Sequence, residues 1–446
     1  MELRKLHVLL PLFFCSALLA EERPETTEVW GPVPVEVDTD AASAVPSDAI
    51  VLFDGSNLRE WTGEKSAEPT WTVADGVMTV KGGTGGIVTQ RSFDDCQLHL
   101  EWRSPAEAKG DGQSRGNSGV YFQGRYEIQV LDSYRNPTYV NGQAASLYKQ
   151  QAPLVNASRR PGEWQTYDIV FRAPRFNADG SLRRPAIVTV FHNGVLVQDH
   201  TPVQGSTAWI GKPTYSAHPF KQPLMLQDHG SAVSYRNIWI REIGDARTAP
   251  LMNGKDLDGW YSYLENLGRN QDPEGNFRVV DGQLHIRGKN FGYIATEKEY
   301  ADYHLRADFR WGTLQWPPRE TGKRDSGILY HFSAQAPDVV WPKSIECQVQ
   351  EGDCGDIWFV GTDGESSNRS EHAWGMKRVF KEGDFERPRG EWNTMEVVAI
   401  GDRFEHYVNG HLVNSATHAS VQRGKILLQS EGAEVWYRNV TLTPLD

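Results

Sequence analysis

From Asp48 to the C-terminus, apolar and polar residues alternate in short runs that stop at Gly, Asn-Gly and Asp-Gly. A period of two over such lengths predicts β-strands, and the stops predict hairpin turns. No long stretch has the 3.6-residue period of an amphipathic helix. The clearest strand is Tyr126-Glu127-Ile128-Gln129-Val130-Leu131. It places Ile128 and Val130 on one face and Glu127 and Gln129 on the other. The segment Ser344-Ile345-Glu346-Cys347-Gln348-Val349 repeats that pattern, with Ile345, Cys347 and Val349 opposite Glu346 and Gln348. A strand of this type buries its apolar face and offers the other to solvent or a cleft.

The echo is one of several. Leu52-Phe53-Asp54-Gly55, followed by Leu58 and Trp61, returns as Leu251-Met252-Asn253-Gly254, Leu257 and Trp260. Asn117-Ser118-Gly119-Val120-Tyr121-Phe122 returns as Asp325-Ser326-Gly327-Ile328-Leu329-Tyr330. Gly162-Glu163-Trp164 returns as Gly390-Glu391-Trp392, and the closing Tyr235-Arg236-Asn237-Ile238 as Tyr437-Arg438-Asn439-Val440. A repeat of about 200 residues is a whole domain, too long for a solenoid unit. The expected fold is therefore all-β: two tandem jelly-roll β-sandwich domains, residues 48–244 and 249–446, joined by a short connector that keeps them in contact. The segments Asn136 to Arg160 and Asp353 to Asp384 interrupt the strand rhythm at corresponding places and read as long loops at the rim of a sheet.

Residues 1–20 differ from the rest. Arg4 and Lys5 precede the apolar run Val8 to Ala20, which is short for a membrane span and has the form of a secretory signal peptide. Residues 21–47, rich in Pro, Glu, Thr and Ala, read as a flexible linker. The mature chain is expected to be periplasmic or secreted, with no integral membrane segment. A formal charge of −12 and no basic block exclude nucleic acid as a partner. Cys96, Cys347 and Cys354 do not form a disulfide framework, although a Cys347–Cys354 bridge is compatible with an oxidising compartment.

Strand parity groups several polar residues with the opening strand. In the first copy these are Glu101, Glu127, Gln129, Gln227 and His229; in the second, Asp308, Glu346, Gln348, Gln429 and Glu431. Alternating polar residues are most often the wet face of a sheet. The joint recurrence of Glu-x-Gln and the late Gln in both halves favours a site. Arg236 and Arg438 have a plain structural account as partners of sheet-face carboxylates. Asp353, Asp356 and Asp363 form an acidic loop, for which solvation is the simpler reading and a divalent cation the alternative. No Gly-x-Ser-x-Gly elbow, His-Glu-x-x-His helix or phosphate-cradling loop with Lys is present.

The opening Leu52-Phe53-Asp54-Gly55, Asn117-Ser118-Gly119, Tyr126 to Asp132, and Leu226-Gln227-Asp228-His229-Gly230 with Tyr235-Arg236-Asn237-Ile238 resemble the 3-keto-disaccharide hydrolase-type domain family. The second copy resembles a sister type, through Asp325-Ser326-Gly327, Ile345 to Asp353 and Leu428-Gln429-Ser430-Glu431-Gly432. The resemblance implies a concanavalin A-like jelly roll acting on glycosides oxidised at C3, as a hydrolase or as a 3-keto-glucoside 1,2-lyase and hydratase, with an oligosaccharide or glycoside as partner. A C3 ketone acidifies the C2 proton, so the expected chemistry is deprotonation, loss of the C1 substituent and addition of water. His229 or Glu127 is the candidate base in the first domain and Glu346 or Glu431 in the second, with Gln129 and Gln348 orienting hydroxyls. Glu101, Gln227, Asp308 and Gln429 complete the expected substrate-binding set. Arg236 and Arg438, or a divalent metal ion, would stabilise the enolate oxygen. The alternative from another class is a non-catalytic, lectin-like carbohydrate-binding protein.

Overall fold

The structure, a computed structural model, describes residues 26–29, 33–39, 45–107 and 109–445. The expected leader and part of the linker lie outside these residues. From Ile50 the described chain is all-β, with only short 3-10 turns such as Gly112–Ser114 and Val140–Gly142.

Each copy is a sandwich of two antiparallel sheets. In the first, a five-stranded sheet runs in the order Trp61–Gly63, Ile87–Phe93, Gln222–Leu226, Ser118–Phe122, Tyr126–Val130. It faces an eight-stranded sheet that contains Cys96–Arg103, Gln165–Arg172 and Ser234–Glu242. Ile128 and Val130 from the first sheet pack in one core with Leu98, Leu100 and Trp102 from the second. The second copy repeats this plan with Trp260–Leu264, Gly292–Thr296, Lys425–Ser430, Asp325–Phe332 and Ser344–Gln350. Its core likewise joins Ile345, Cys347 and Val349 to Leu305, Phe309 and Tyr437. Cys96, Cys347 and Cys354 are buried free thiols, so the bridge considered for the last two is absent.

The repeated motifs have identifiable jobs. The Trp61 indole N–H donates to Leu52 O at 2.8 Å, and Trp260 donates to Leu251 O at 2.6 Å. Each indole thereby closes the first loop of its copy. Asp75-Gly76, Asn193-Gly194, Asp281-Gly282 and Asn409-Gly410 all have positive φ at both residues. That is the geometry a two-residue hairpin requires. Ser118 Oγ donates to Gln227 O at 2.6 Å and lies 2.7 Å from the Tyr235 hydroxyl of the opposite sheet. Ser326 does the same with Gln429 O at 2.7 Å and Tyr437 at 2.9 Å.

The copies differ most at one edge. The segment Asp353 to Asp384, expected as a rim loop, adds the strands Ile357–Val360, Met376–Val379 and Ser370–Ala373; with the short strand Gly268–Arg269 at the opposite edge, the sheet is nine-stranded. The short apolar run Ile357 to Val360 pairs with Ser344–Gln350 and continues the ladder. The first copy's segment 136–160 instead folds back along the edge of Tyr126–Val130. There Gln129 N donates to Ser146 O and Tyr148 N to Glu127 O.

The two sandwiches meet around Phe220 and Lys221. Phe220 packs on Val398 and Tyr407, and its N–H donates to Glu405 at 3.0 Å. The Lys221 ammonium is 1% exposed and bonds Glu242 of its own copy at 2.7 Å and Glu396 of the other at 2.6 Å. Burial disfavours its charge, but the two carboxylates outweigh burial and raise its pKa.

Removing either sheet-bridging hydroxyl leaves a buried phenol and a carbonyl short of a partner. Ser118→Ala and Ser326→Ala should each destabilise the chain by about 1–3 kcal/mol, read as a lowered midpoint in denaturant unfolding.

Candidate functional site

The candidate site in each copy lies on the outer face of the sheet that carries the Glu-x-Gln strand, over a glycine. Gly119 is paired with Gln129, and Tyr121 with Glu127. A Cβ at Gly119 would come within 2.6 Å of Glu127 Oε1. The carboxyl group therefore lies across the strand in space that only glycine leaves open. The face expected to meet solvent or a cleft is buried: Glu127 is 2% and Gln129 1% exposed. Burial pushes the Glu127 pKa up to about 8, against the opposing hydrogen bond from Tyr121. Burial and the Glu127 charge raise the Tyr121 phenol in turn.

Gln227 donates to the Tyr121 hydroxyl at 3.1 Å, which links it to Glu127. The Gln129 amide meets Gln113 at 2.9 Å on one side; on the other it meets Ser118 O at 3.1 Å and Glu127 Oε1 at 3.0 Å. An ionised Glu127 requires the amide nitrogen on its side, and a neutral Glu127 can donate to the amide oxygen instead.

The second copy holds more acid. Gly327 pairs with Gln348, and a Cβ there would come 2.2 Å from Glu346 Oε1 and 2.8 Å from Gln429 Oε1. Leu329 occupies the position of Tyr121, so Glu346 lacks the phenol that Glu127 has. Asp325 replaces Asn117 and Glu431 replaces His229. The Arg319 guanidinium bonds both of these carboxylates. Gln350 donates to Asp325 from the paired strand, and the Trp341 side chain hydrogen-bonds Glu431.

Burial, then the charges of Glu431 and Asp325, hold the Glu346 pKa well above the carboxylate range, with Arg319 opposing. Asp325 is raised by burial and by Glu431. Glu431 is raised by burial despite Arg319. Three carboxyl groups around one guanidinium cannot all ionise at low cost, so protons are shared across the cluster. Gln429 has both amide atoms buried without a partner, as are Gln348 Oε1 and Asp325 Oδ1. Unpaired polar atoms converging on one face are the arrangement that a hydroxyl-rich ligand satisfies.

The structure thus brings together Glu127, Gln129 and Gln227, and separately Glu346, Gln348, Gln429 and Glu431. It does not bring the other candidates to these faces. Glu101 and Asp308 belong to the opposite sheet, paired in register with Arg236 and Arg438. Arg236 bonds Glu101 at 2.7 Å and stacks 4.1 Å above Trp164. Arg438 lies 3.5 Å from Asp308 and 4.0 Å from the Trp392 ring centroid. These four are corrected to structural pairs on the far side of each sandwich. Parity assigns a residue to one side of its own strand, and both sheets have a polar outer side. His229 is corrected as well. Like Glu431 after Ser430, it falls past the end of its strand, here at Leu226; but Glu431 is buried and held by Arg319, whereas His229 is exposed.

Asp325 and Arg319 were absent from the parity set. The exchange of Asn117 for Asp325 between otherwise matching motifs was the available signal for the first. Arg319 sits in an irregular segment, where no period points to it. The acidic loop is neutralised by cations: Asp356 accepts from Arg378 at 2.6 Å, and Asp353 from Lys323 at 2.7 Å. Among the described residues no group of three or more His, Cys, Asp or Glu is placed to hold a metal ion.

The profile of the 3-keto-alpha-glucoside-1,2-lyase-like domain matches residues 48–241 and again 247–443. A 3-keto-disaccharide hydrolase from Bacteroides thetaiotaomicron is 28% identical over 166 residues, covering 28% of this chain and 54% of that protein. The chain therefore spans little more than half the length of this relative. Among solved structures, a candidate glycosyl hydrolase from Parabacteroides distasonis is 50% identical, with a TM-score of 0.48, over 50% of this chain and 97% of its own. A second candidate glycosyl hydrolase from the same organism is 21% identical, with a TM-score of 0.33, over 44% of this chain and 94% of its own.

The folded state holds a proton on Glu127 that the unfolded chain releases near its ordinary pKa of 4.5. Between that value and about 8 the group therefore costs stability as pH rises, by up to about 1.4 kcal/mol per pH unit. Glu127→Gln should lack this slope and unfold at a higher temperature than the wild type at pH 8 and above. Parallel thermal-unfolding profiles for the two proteins from pH 5 to 9 would show that the acid is already ionised in the fold.

Proposed function

The chain belongs to the 3-keto-alpha-glucoside-1,2-lyase-like domain family, and from that premise we propose that it is an exported enzyme that cleaves 3-keto-glycosides. The reading rests most on the second copy. There Glu431 and Asp325 share the Arg319 guanidinium, with Glu346 close enough to feel all three charges, beside unpaired glutamine amides. Glu431, next to Arg319, removes the C2 proton, and the electron pair forms an enolate with the C3 oxygen. Collapse of the enolate restores the C3 ketone, makes the C1–C2 double bond and breaks the bond from C1 to the leaving oxygen. Neutral Glu346 supplies the proton that the leaving oxygen takes up. Water then adds its hydroxyl to C1 and a proton to C2, for net hydrolysis. Gln348 and Gln429 hold the ketone and the neighbouring hydroxyls, and Arg319 offsets the negative charge.

The first copy supports a different assignment. It has Asn117 and an exposed His229 where the second has acids, and its central carboxyl, Glu127, is engaged by Tyr121. We assign it to binding sugar, the role that the lectin-like alternative would give the whole chain. The leader-like run Val8 to Ala20 is the basis for placing the work in the periplasm or outside the cell.

Incubation with a 3-keto-glucosyl disaccharide should release the leaving sugar. Glu346→Gln should lower turnover by about a hundredfold or more, while Glu127→Gln costs less than about tenfold. Binding of the sugar with no release by the wild type would leave a carbohydrate-binding protein. Repeating the assay with a chelator separates a cation's contribution to the enolate from that of Arg319.

A further inference from the structure

The strands that widen the second sheet end in an unusual turn. Trp374 sits between Ser370–Ala373 and Met376–Val379 with φ +51°. Gly, Asn or Asp normally takes that left-handed position, because a bulky side chain is strained there. Its indole is 85% exposed, yet it stacks on Trp358 at 5.6 Å with 19° between the ring planes. Trp358 is the cross-strand partner of Glu346, so the two side chains rise from the same face as near neighbours. The Trp358 indole N–H is buried without a partner. Arg378, paired to Asp356, lies 5.4 Å from the Trp358 ring centroid. The first copy has no counterpart, because its sheet stops at Tyr126–Val130.

We propose that Trp374 and Trp358 form a stacking subsite for a second pyranose ring, the leaving-group sugar of a disaccharide whose oxidised ring lies over Gly327. An exposed flat indole next to a buried polar cluster suits a sugar, which offers an apolar C–H face to the ring and hydroxyls to the amides. The unpaired Trp358 N–H is the donor that one of those hydroxyls would meet. The subsite thus selects disaccharides over small alkyl glycosides. This inference rests on the reading of Glu346 and Gln429 as the reaction centre.

The test compares a 3-keto-glucosyl-glucose with methyl 3-keto-glucoside on the full chain. Trp374→Ala should raise the KM for the disaccharide about tenfold relative to that for the methyl glycoside, with kcat little changed, and Trp374→Phe should restore part of the difference. Calorimetric titration of the disaccharide into Glu346→Gln, with and without Trp374→Ala, reads the same contact without turnover. Leaving-sugar release with an unchanged KM ratio overturns the subsite and spares the enzyme. Loss of affinity on Trp374→Ala in a chain that releases nothing overturns the enzyme and upholds the subsite. Trp374 dependence confined to an aryl 3-keto-glucoside would overturn the assignment to a sugar ring.

Discussion

A Ser-Gly pair on one strand, present in each copy, is what both the sandwich and the site depend on. The serine faces inward and joins the carbonyl of the neighbouring strand to a tyrosine hydroxyl of the opposite sheet, as Ser118 does with Gln227 and Tyr235. The glycine faces outward and has no side chain, so a glutamate from the paired strand can lie flat across it. Alternation along the strand ties the two roles together. A register shift of one residue would put the serine on the outside and a methylene group where the carboxyl lies. Sheet-to-sheet attachment and placement of the acid are therefore set by a single register.

Duplication kept that frame and changed the groups around it. Where the first copy has Tyr121, Asn117 and His229, the second has Leu329, Asp325 and Glu431, so its central acid lacks the phenol and has two further carboxyls beside it. Arg319 then becomes necessary, since buried carboxyls crowded together without a cation would be costly. The same copy has strands beyond Ser344–Gln350, which put Trp358 beside Glu346. The first copy covers its corresponding edge with backbone from Ala145 to Tyr148. One copy is elaborated around its acid, and the other is closed over it.

The junction has its own electrostatic logic. Lys221 is nearly inaccessible, and its charge is held by one carboxylate from each sandwich. Loss of either partner would leave an ion poorly matched in a buried setting, so the contact ties the two copies to each other. None of this was visible in the sequence. Lys221 lies in no repeated motif, and its two partners are distant along the chain.

How much was legible follows the range of each interaction. The all-β class, the duplication, the Asp-Gly and Asn-Gly hairpins and the strand that carries Glu127 or Glu346 are written in the residue order alone, because turns and alternation are local. Recurrence in the two halves also pairs Gln227 and Gln429 with those acids. It takes the folded chain to assign a residue to one of two polar outer faces, and this moves Glu101, Asp308, Arg236 and Arg438 away from the site. The folded chain also decides that Glu127 and Glu346 are buried, that His229 falls past the end of its strand, and that Asp353 to Asp384 extends the sheet. The reason is the same in each case: alternation reports the two sides of one strand, whereas sheet membership and burial depend on partners far away in the chain.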